Sequence, residues 1–164
     1  MTNPQAVVGP HALAGMVAMI TGAGSGMGAE FARRLAADGA TVVVNDVNPT
    51  AAADVASEVG GDTAIFDVAD SGAFDAEVDK AVTRFGRLDI LVNNAGFAPP
   101  MEPDRVQRAI ANQLTRMEGR IGDLVPPNHT VDLSDADWDR MLKVHLYGTF
   151  YGTRAALRHM TPAR

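Results

Sequence analysis

Cysteine is absent from this chain of 164 residues, so disulfides, zinc ribbons, iron–sulfur clusters and thiol nucleophiles are excluded together, and no metal site is expected. The absence fits a reducing compartment, and residues 1–5 lack the basic stretch that opens a signal peptide, so a cytoplasmic location is expected. No apolar run approaches the ~18 residues that a membrane helix needs, so no membrane partner is expected. Positive charge is scarce: 14 Lys and Arg face 20 Asp and Glu, a net charge of -6, which argues against a nucleic-acid partner because phosphates demand clustered bases. Lysine and tyrosine are scarcer still, limited to Lys80, Lys143, Tyr147 and Tyr151, so any mechanism that needs both has few candidates.

What is present is ordinary in amount and regular in order. Hydrophobic residues at 46% and charged residues at 21% are globular values, and the length suits one domain. After a loose start over residues 1–14, Val- and Ile-rich runs at 17–21, 41–46, 63–68 and 88–92 alternate with helical patterns at 26–38, 49–59 and 71–85. The runs show little polar alternation, as strands covered on both faces do, and Gly39, Gly60 and Gly86 stand where helix C-caps belong. The expected fold class is α/β, a doubly wound parallel sheet with right-handed crossovers.

Residues 97–133 break the rhythm with five prolines and no strand-like run, and are expected to form an insertion. Within it Val106, Ile110, Leu114, Met117 and Ile121 form one helical stripe, expected to pack on the body of the protein or on a neighbouring subunit. A further helix is expected from Ser134, with Asp137 completing a capping box, to about Met160.

The strongest local signal is the run Thr21-Gly22-Ala23-Gly24-Ser25-Gly26-Met27-Gly28, between the first strand and the first helix. Glycines there permit a tight turn, close approach of the backbone to a pyrophosphate and close packing of helix on strand, while the helix N-terminus offers N–H groups to phosphate. No Lys-Ser or Lys-Thr follows, which excludes a P-loop NTPase. Asp46 ends the second strand, where a carboxylate accepts hydrogen bonds from a ribose diol and repels a 2′-phosphate; Val47 and Asn48 supply no compensating cation, so NAD is expected over NADP. Up to this point an S-adenosylmethionine-dependent methyltransferase stands as a rival, since it carries a similar loop and acid.

The fourth strand separates the two. It ends Asn93-Asn94-Ala95-Gly96, and with Thr21-Gly22, Gly26, Gly28, Asp46 and Asp67-Val68 the set resembles the classical short-chain dehydrogenase/reductase family across nearly all of residues 15–160. The resemblance implies that Gly22, Gly24, Ser25, Gly26, Met27 and Gly28 lie along the pyrophosphate and that Asp46, with Val47 beside it, holds the adenosine ribose. It implies further that Asp67 and Val68 flank the adenine, and that Asn93, Ala95 and Gly96 sit beside the second ribose, Asn93 also tying the central strands together. His145 occupies the position of an Asn that in the family helps a proton relay, which makes it a candidate catalytic residue.

The family's general acid/base is a Tyr followed four residues later by a Lys, whose charge draws the phenol toward working pH. Four residues after Tyr147 comes Tyr151, and four after Tyr151 comes Ala155. Both tyrosines are therefore expected to serve helix packing or an interface. The resemblance leads to an NAD-dependent oxidoreductase of alcohols and ketones, with this chain as its cofactor-binding half, lacking the C-terminal catalytic part, and forming a homo-oligomer. The alternative is a non-catalytic dinucleotide-binding or scaffolding module.

Overall fold

The computed structural model describes residues 11–99, 103–126 and 130–160, so most of the loose segment expected at 1–14 lies outside the described residues. The chain divides into two compact units, one reaching Gly96 and resuming at Leu142, the other Phe97–Met141.

The first unit carries β1 (Val17–Ile20), α1 (Gly26–Ala37), β2 (Thr41–Asp46), α2 (Pro49–Val59), β3 (Asp62–Ile65), α3 (Ser71–Phe85) and β4 (Ile90–Val92), then a π-helical turn at Lys143–Tyr147 and α6 (Gly148–Met160). The strands form one parallel sheet in the order β3-β2-β1-β4. Successive strands are therefore added outward from β1 first on one side and then, with β4, on the other, which places between β1 and β4 the switch point where open α/β sheets bind ligands.

Alternation along the strands divides the core. Ala18 and Ile20 of β1 and Val42 and Val44 of β2 join Ala29 and Ala32 of α1 and Ala52, Val55 and Ala56 of α2 in one buried cluster. Met19 and Val43 point to the other face, where α3 and α6 pack together and Phe74 meets Phe66 edge to face with ring centroids 4.9 Å apart. Two glycines let α6 come close. A methyl group on Gly148 would fall 2.9 Å from Val68 Cγ2, and one on Gly152 would fall 2.5 Å from Phe74 Cζ. Asp89 anchors the start of β4 by accepting from the Val17 N–H at 2.8 Å, and the Arg87 guanidinium beside it holds its carboxyl below the usual range.

The expected strand over 63–68 is shorter at its C-terminal end, stopping at Ile65. Phe66 and Val68 are buried without pairing, and the Phe66 carbonyl accepts from the side-chain Nδ2 of Asn45 in β2 at 3.1 Å rather than from a backbone N–H of that strand. Gly60 and Gly86 close α2 and α3 in left-handed conformations, as their positions suggested.

The second unit contains α4 (Pro103–Met117), a short 3₁₀ turn at Ile121–Asp123 and α5 (Asp135–Leu142), whose last residue opens the first unit's closing segment. The stripe on α4 is exposed in the single chain, from 42% at Val106 to 80% at Met117. The residue that α4 buries is instead polar. Asn112 donates to the Val125 carbonyl at 2.7 Å and accepts from the Val125 N–H at 2.9 Å, folding the following segment back onto the helix. At α5, Ser134 Oγ accepts from the Asp137 N–H at 3.0 Å and donates to the Asp137 carboxylate at 2.7 Å. This is the expected box, with the shorter acid reaching the hydroxyl rather than the backbone.

No helix among the described residues is long and apolar enough to cross a membrane.

Candidate functional site

The carboxyl ends of β1, β2 and β4 meet around the loop 21–28. Gly22 and Gly26 have φ of 62° and 54°, in the left-handed region that glycine adopts without steric cost. Close approach fixes the other glycines. A methyl on Gly28 would fall 2.3 Å from the Gly22 carbonyl oxygen, and one on Gly24 would fall 2.8 Å from Asp46 Oδ2. Gly26 has open space where a side chain would stand. Ser25 and Met27 are exposed on either side of it.

The N-terminus of α1 is bare. Ser25 makes no side-chain cap, and no acidic residue occupies the first turn. The free N–H groups of that turn carry the positive end of the helix dipole, which suits an anion at the mouth of the loop. Bare donors, an open glycine and a methyl-tight cradle fit a dinucleotide's pyrophosphate.

Asp46 stands beside this loop with both carboxylate oxygens engaged. Oδ2 accepts from the Gly24 N–H at 3.0 Å and Oδ1 accepts from the Asn48 N–H at 2.9 Å. Each oxygen retains acceptor capacity for a ribose hydroxyl, so the carboxylate is oriented in advance and still able to bind. Val47 is exposed next to it.

Asp67 is half-buried and accepts from the Ala69 N–H at 2.9 Å. Val68 is 5% exposed and lies against the bare Cα of Gly148.

Three polar residues to which the sequence reading assigned no role hold the site together. Thr21 Oγ1 accepts from the N–H groups of Asn94 and Ala95, both at 3.0 Å. Asn94 Nδ2 donates to the carbonyls of Thr21 and Gly22 at 3.0 and 3.2 Å. Asn45, 1% exposed, accepts from the Gly22 N–H at 3.4 Å and donates to the Ala64 carbonyl at 2.9 Å, joining the loop to the end of β3. The bonds that tie β1 to β4 thus fall to Asn94, whereas Asn93 was expected to make them; Asn93 turns away, donating to Thr153 Oγ1 of α6 at 3.3 Å. A polar residue inside an apolar strand, as Asn45 is within Thr41–Asp46, was the available signal for one of the three.

The loop also meets the turn after β4, since a methyl on Gly22 would fall 2.8 Å from Ala95 Cα. At the far end of that turn Gly96 lies under the imidazole of His145, from the π-helical segment. Ala95 and Gly96 are therefore brought together with the glycine loop on the Ala95 side and His145 on the Gly96 side, while Asn93 faces α6. Tyr147 and Tyr151, expected to serve helix packing or an interface, meet each other at a tilt with ring centroids 6.2 Å apart.

Comparison with known proteins agrees with this geometry. Residues 16–164 match the family model described as short chain dehydrogenase. Momilactone A synthase of Oryza sativa subsp. japonica is 37% identical over 155 residues, covering 93% of this chain and 47% of that protein. The 3-ketoacyl-(acyl-carrier-protein) reductase from Brucella melitensis, solved in complex with NADH, superposes with a TM-score of 0.68 at 31% identity over 90% of this chain and 50% of its own. NAD+-bound xylitol dehydrogenase superposes with a TM-score of 0.69 at 28% identity, over 92% and 50% respectively. The chain spans about half the length of the curated relatives it matches.

Proposed function

The chain belongs to the short-chain dehydrogenase family, and from that premise we propose that it is the cofactor-binding half of an NAD-dependent oxidoreductase that interconverts an alcohol and a ketone. The observation that carries the reading is the bare N-terminus of α1 inside a glycine loop, held in register by Asp46. When bound, the dinucleotide supplies a hydride acceptor or donor; this chain's residues bind and orient it. The first turn of α1 receives the pyrophosphate. Asp46 accepts from the adenosine ribose and disfavours a 2′-phosphate by charge, and the NADH and NAD+ bound in two structural relatives support that preference. Asp67 accepts from the adenine, and the turn 93–96 lies along the second ribose.

Tyr147 and Tyr151 are assigned no proton transfer, because neither has a lysine four residues on. Leu146, Tyr147, Phe150 and Leu157 are exposed along the last helical run and supply an apolar surface for the expected homo-oligomer.

Calorimetric titration with NADH, NADPH and S-adenosylmethionine tests the assignment. NADH is expected to bind more tightly than NADPH, and S-adenosylmethionine not at all; selective binding of S-adenosylmethionine would overturn the reading. The second reading, a dinucleotide-binding module with no chemistry of its own, is favoured by the lack of a Tyr-x-x-x-Lys sequence. The intact mass of the natural protein, set against the encoded reading frame, separates the two.

A further inference from the structure

Gly96 is not among the glycines with positive φ, so its backbone is one that any residue can adopt. What demands glycine there is space. A methyl built on its Cα would fall 2.7 Å from Cε1 of His145, 3.1 Å from Nδ1 and 3.4 Å from Nε2, so the imidazole occupies the place of the missing side chain.

The ring is delivered by a firm support. Residues Lys143–Tyr147 form a π-helical turn, closed by the Gly148 N–H donating to the Lys143 carbonyl, and such turns displace one side chain outward at little cost to the rest of the helix. The His145 carbonyl accepts from Thr149 Oγ1 at 2.7 Å, and the helix beyond it is seated on Val68 and Phe74 through Gly148 and Gly152. The turn 93–96 is held from the β1 side by Thr21 Oγ1, which reaches as far as the Ala95 N–H. Gly96, the next residue, meets the ring.

We propose that His145, seated on the bare Cα of Gly96, is a positioning residue that fixes the far end of the turn 93–96 and so shapes the second-ribose end of the crevice. The inference rests on the dinucleotide reading above. It assigns His145 an action through the turn, and it explains Gly96 by the ring above it. Two consequences distinguish it from ordinary packing. The effect is confined to the half of the ligand beyond the pyrophosphate, and the two residues are coupled, because removing the ring makes room for a methyl group.

The test is a double-mutant cycle on the full 164-residue chain, with Gly96→Ala, His145→Ala and the double variant, titrated with NADH and separately with ADP. ADP reports only the glycine loop and the Asp46 end. We expect Gly96→Ala to weaken NADH about tenfold and ADP less than about twofold, and the double variant to return to the NADH affinity of His145→Ala alone. Additive losses, or parallel losses for NADH and ADP, overturn the proposal. Should Gly96→Ala fail to fold, His145→Ala decides: about a threefold loss for NADH with ADP unchanged supports the role, and unchanged NADH binding overturns it. A wild-type chain that binds neither ligand overturns the dinucleotide reading and this inference with it, whereas NADH binding without coupling overturns this inference alone.

Discussion

Three helices of the sheet-bearing unit start just beyond a strand end, and they start in two different ways. Asn48 caps α2 by accepting from the N–H groups of Thr50 and Ala51, and Asp70 caps α3 by accepting from those of Gly72 and Ala73. The first turn of α1 has Ser25 before it with no side-chain cap, and no acid within it. A cap contributes about 0.5–2 kcal/mol, so α1 forgoes stability that its neighbours keep. The three sites have similar local geometry but different surroundings: only α1 opens at the switch point between β1 and β4, where its donors can serve a ligand instead of its own chain.

The comparison breaks most completely at Gly28. A methyl there meets the Gly22 carbonyl, Asn94 Nδ2 at 2.6 Å and Ala23 Cα at 2.9 Å, so either the loop or the helix must move. Gly28→Ala is expected to weaken NADH more than about a hundredfold by calorimetry, since the donors of α1 lose their common aim. Retained affinity would mean that the loop is not the phosphate site.

Giving α1 the cap that its neighbours have tests the comparison directly. Ser25→Asp places a carboxylate where the N–H groups are free, and two effects of opposite sign should follow. The melting temperature should rise by about 2–4 °C, as a gained cap of about 1 kcal/mol implies for a chain of this size. NADH should weaken about tenfold, because the new charge takes the donors and repels the pyrophosphate. A gain in stability with no loss of affinity would show that the bare turn is incidental.

Much of this arrangement is legible in the sequence, and the illegible parts have physical reasons. Strand and helix positions follow from the apolar runs and their glycine stops, because burial on both faces leaves a mark on every residue of β1 and on Val42, Val43, Val44 and Asn45 of β2. The same mark misplaces the end of β3, since Phe66 and Val68 are buried by packing and not by strand pairing. Asn94 and Thr21 receive no role from their motifs because Asn and Thr at strand ends read equally well as turn formers, and only the folded chain shows which backbone groups each one meets. The π-helical turn at Lys143–Tyr147 is invisible for another reason: over five residues its periodicity cannot be told from that of an α-helix. The stripe on α4 is legible as helical, whereas what covers it is not, because periodicity reports a face and not its partner.

Asp46 sharpens the comparison at a similar magnitude. Its carboxylate does for the loop what Asn48 and Asp70 do for their helices, accepting a backbone N–H, but it keeps acceptor capacity for a ligand. Asp46→Ala should therefore weaken NADH about tenfold through loss of the ribose contact, and NADPH less, since the repelled 2′-phosphate gains what the diol loses. Because the Gly24 contact disappears as well, NADPH is not expected to bind better than it does to the wild type. Equal losses for the two cofactors would leave Asp46 as a brace for the loop and remove it from the ribose site.

The smallest effect on binding is expected where the comparison places pure structure. Asp70→Ala removes both acceptor contacts at the start of α3 and leaves the crevice untouched, since none of its partners belongs to the loop or to the turn after β4. Thermal or denaturant unfolding should show a loss of about 1 kcal/mol, the ordinary worth of an Asp cap, with NADH affinity unchanged. The pairing of Asp70→Ala with Ser25→Asp is the informative one. One variant trades stability away with binding intact, and the other gains stability at the expense of binding. If Asp70→Ala lowered NADH affinity as well, the capped and bare helix starts would share one cooperative unit, and the division between them would lie in degree rather than in kind.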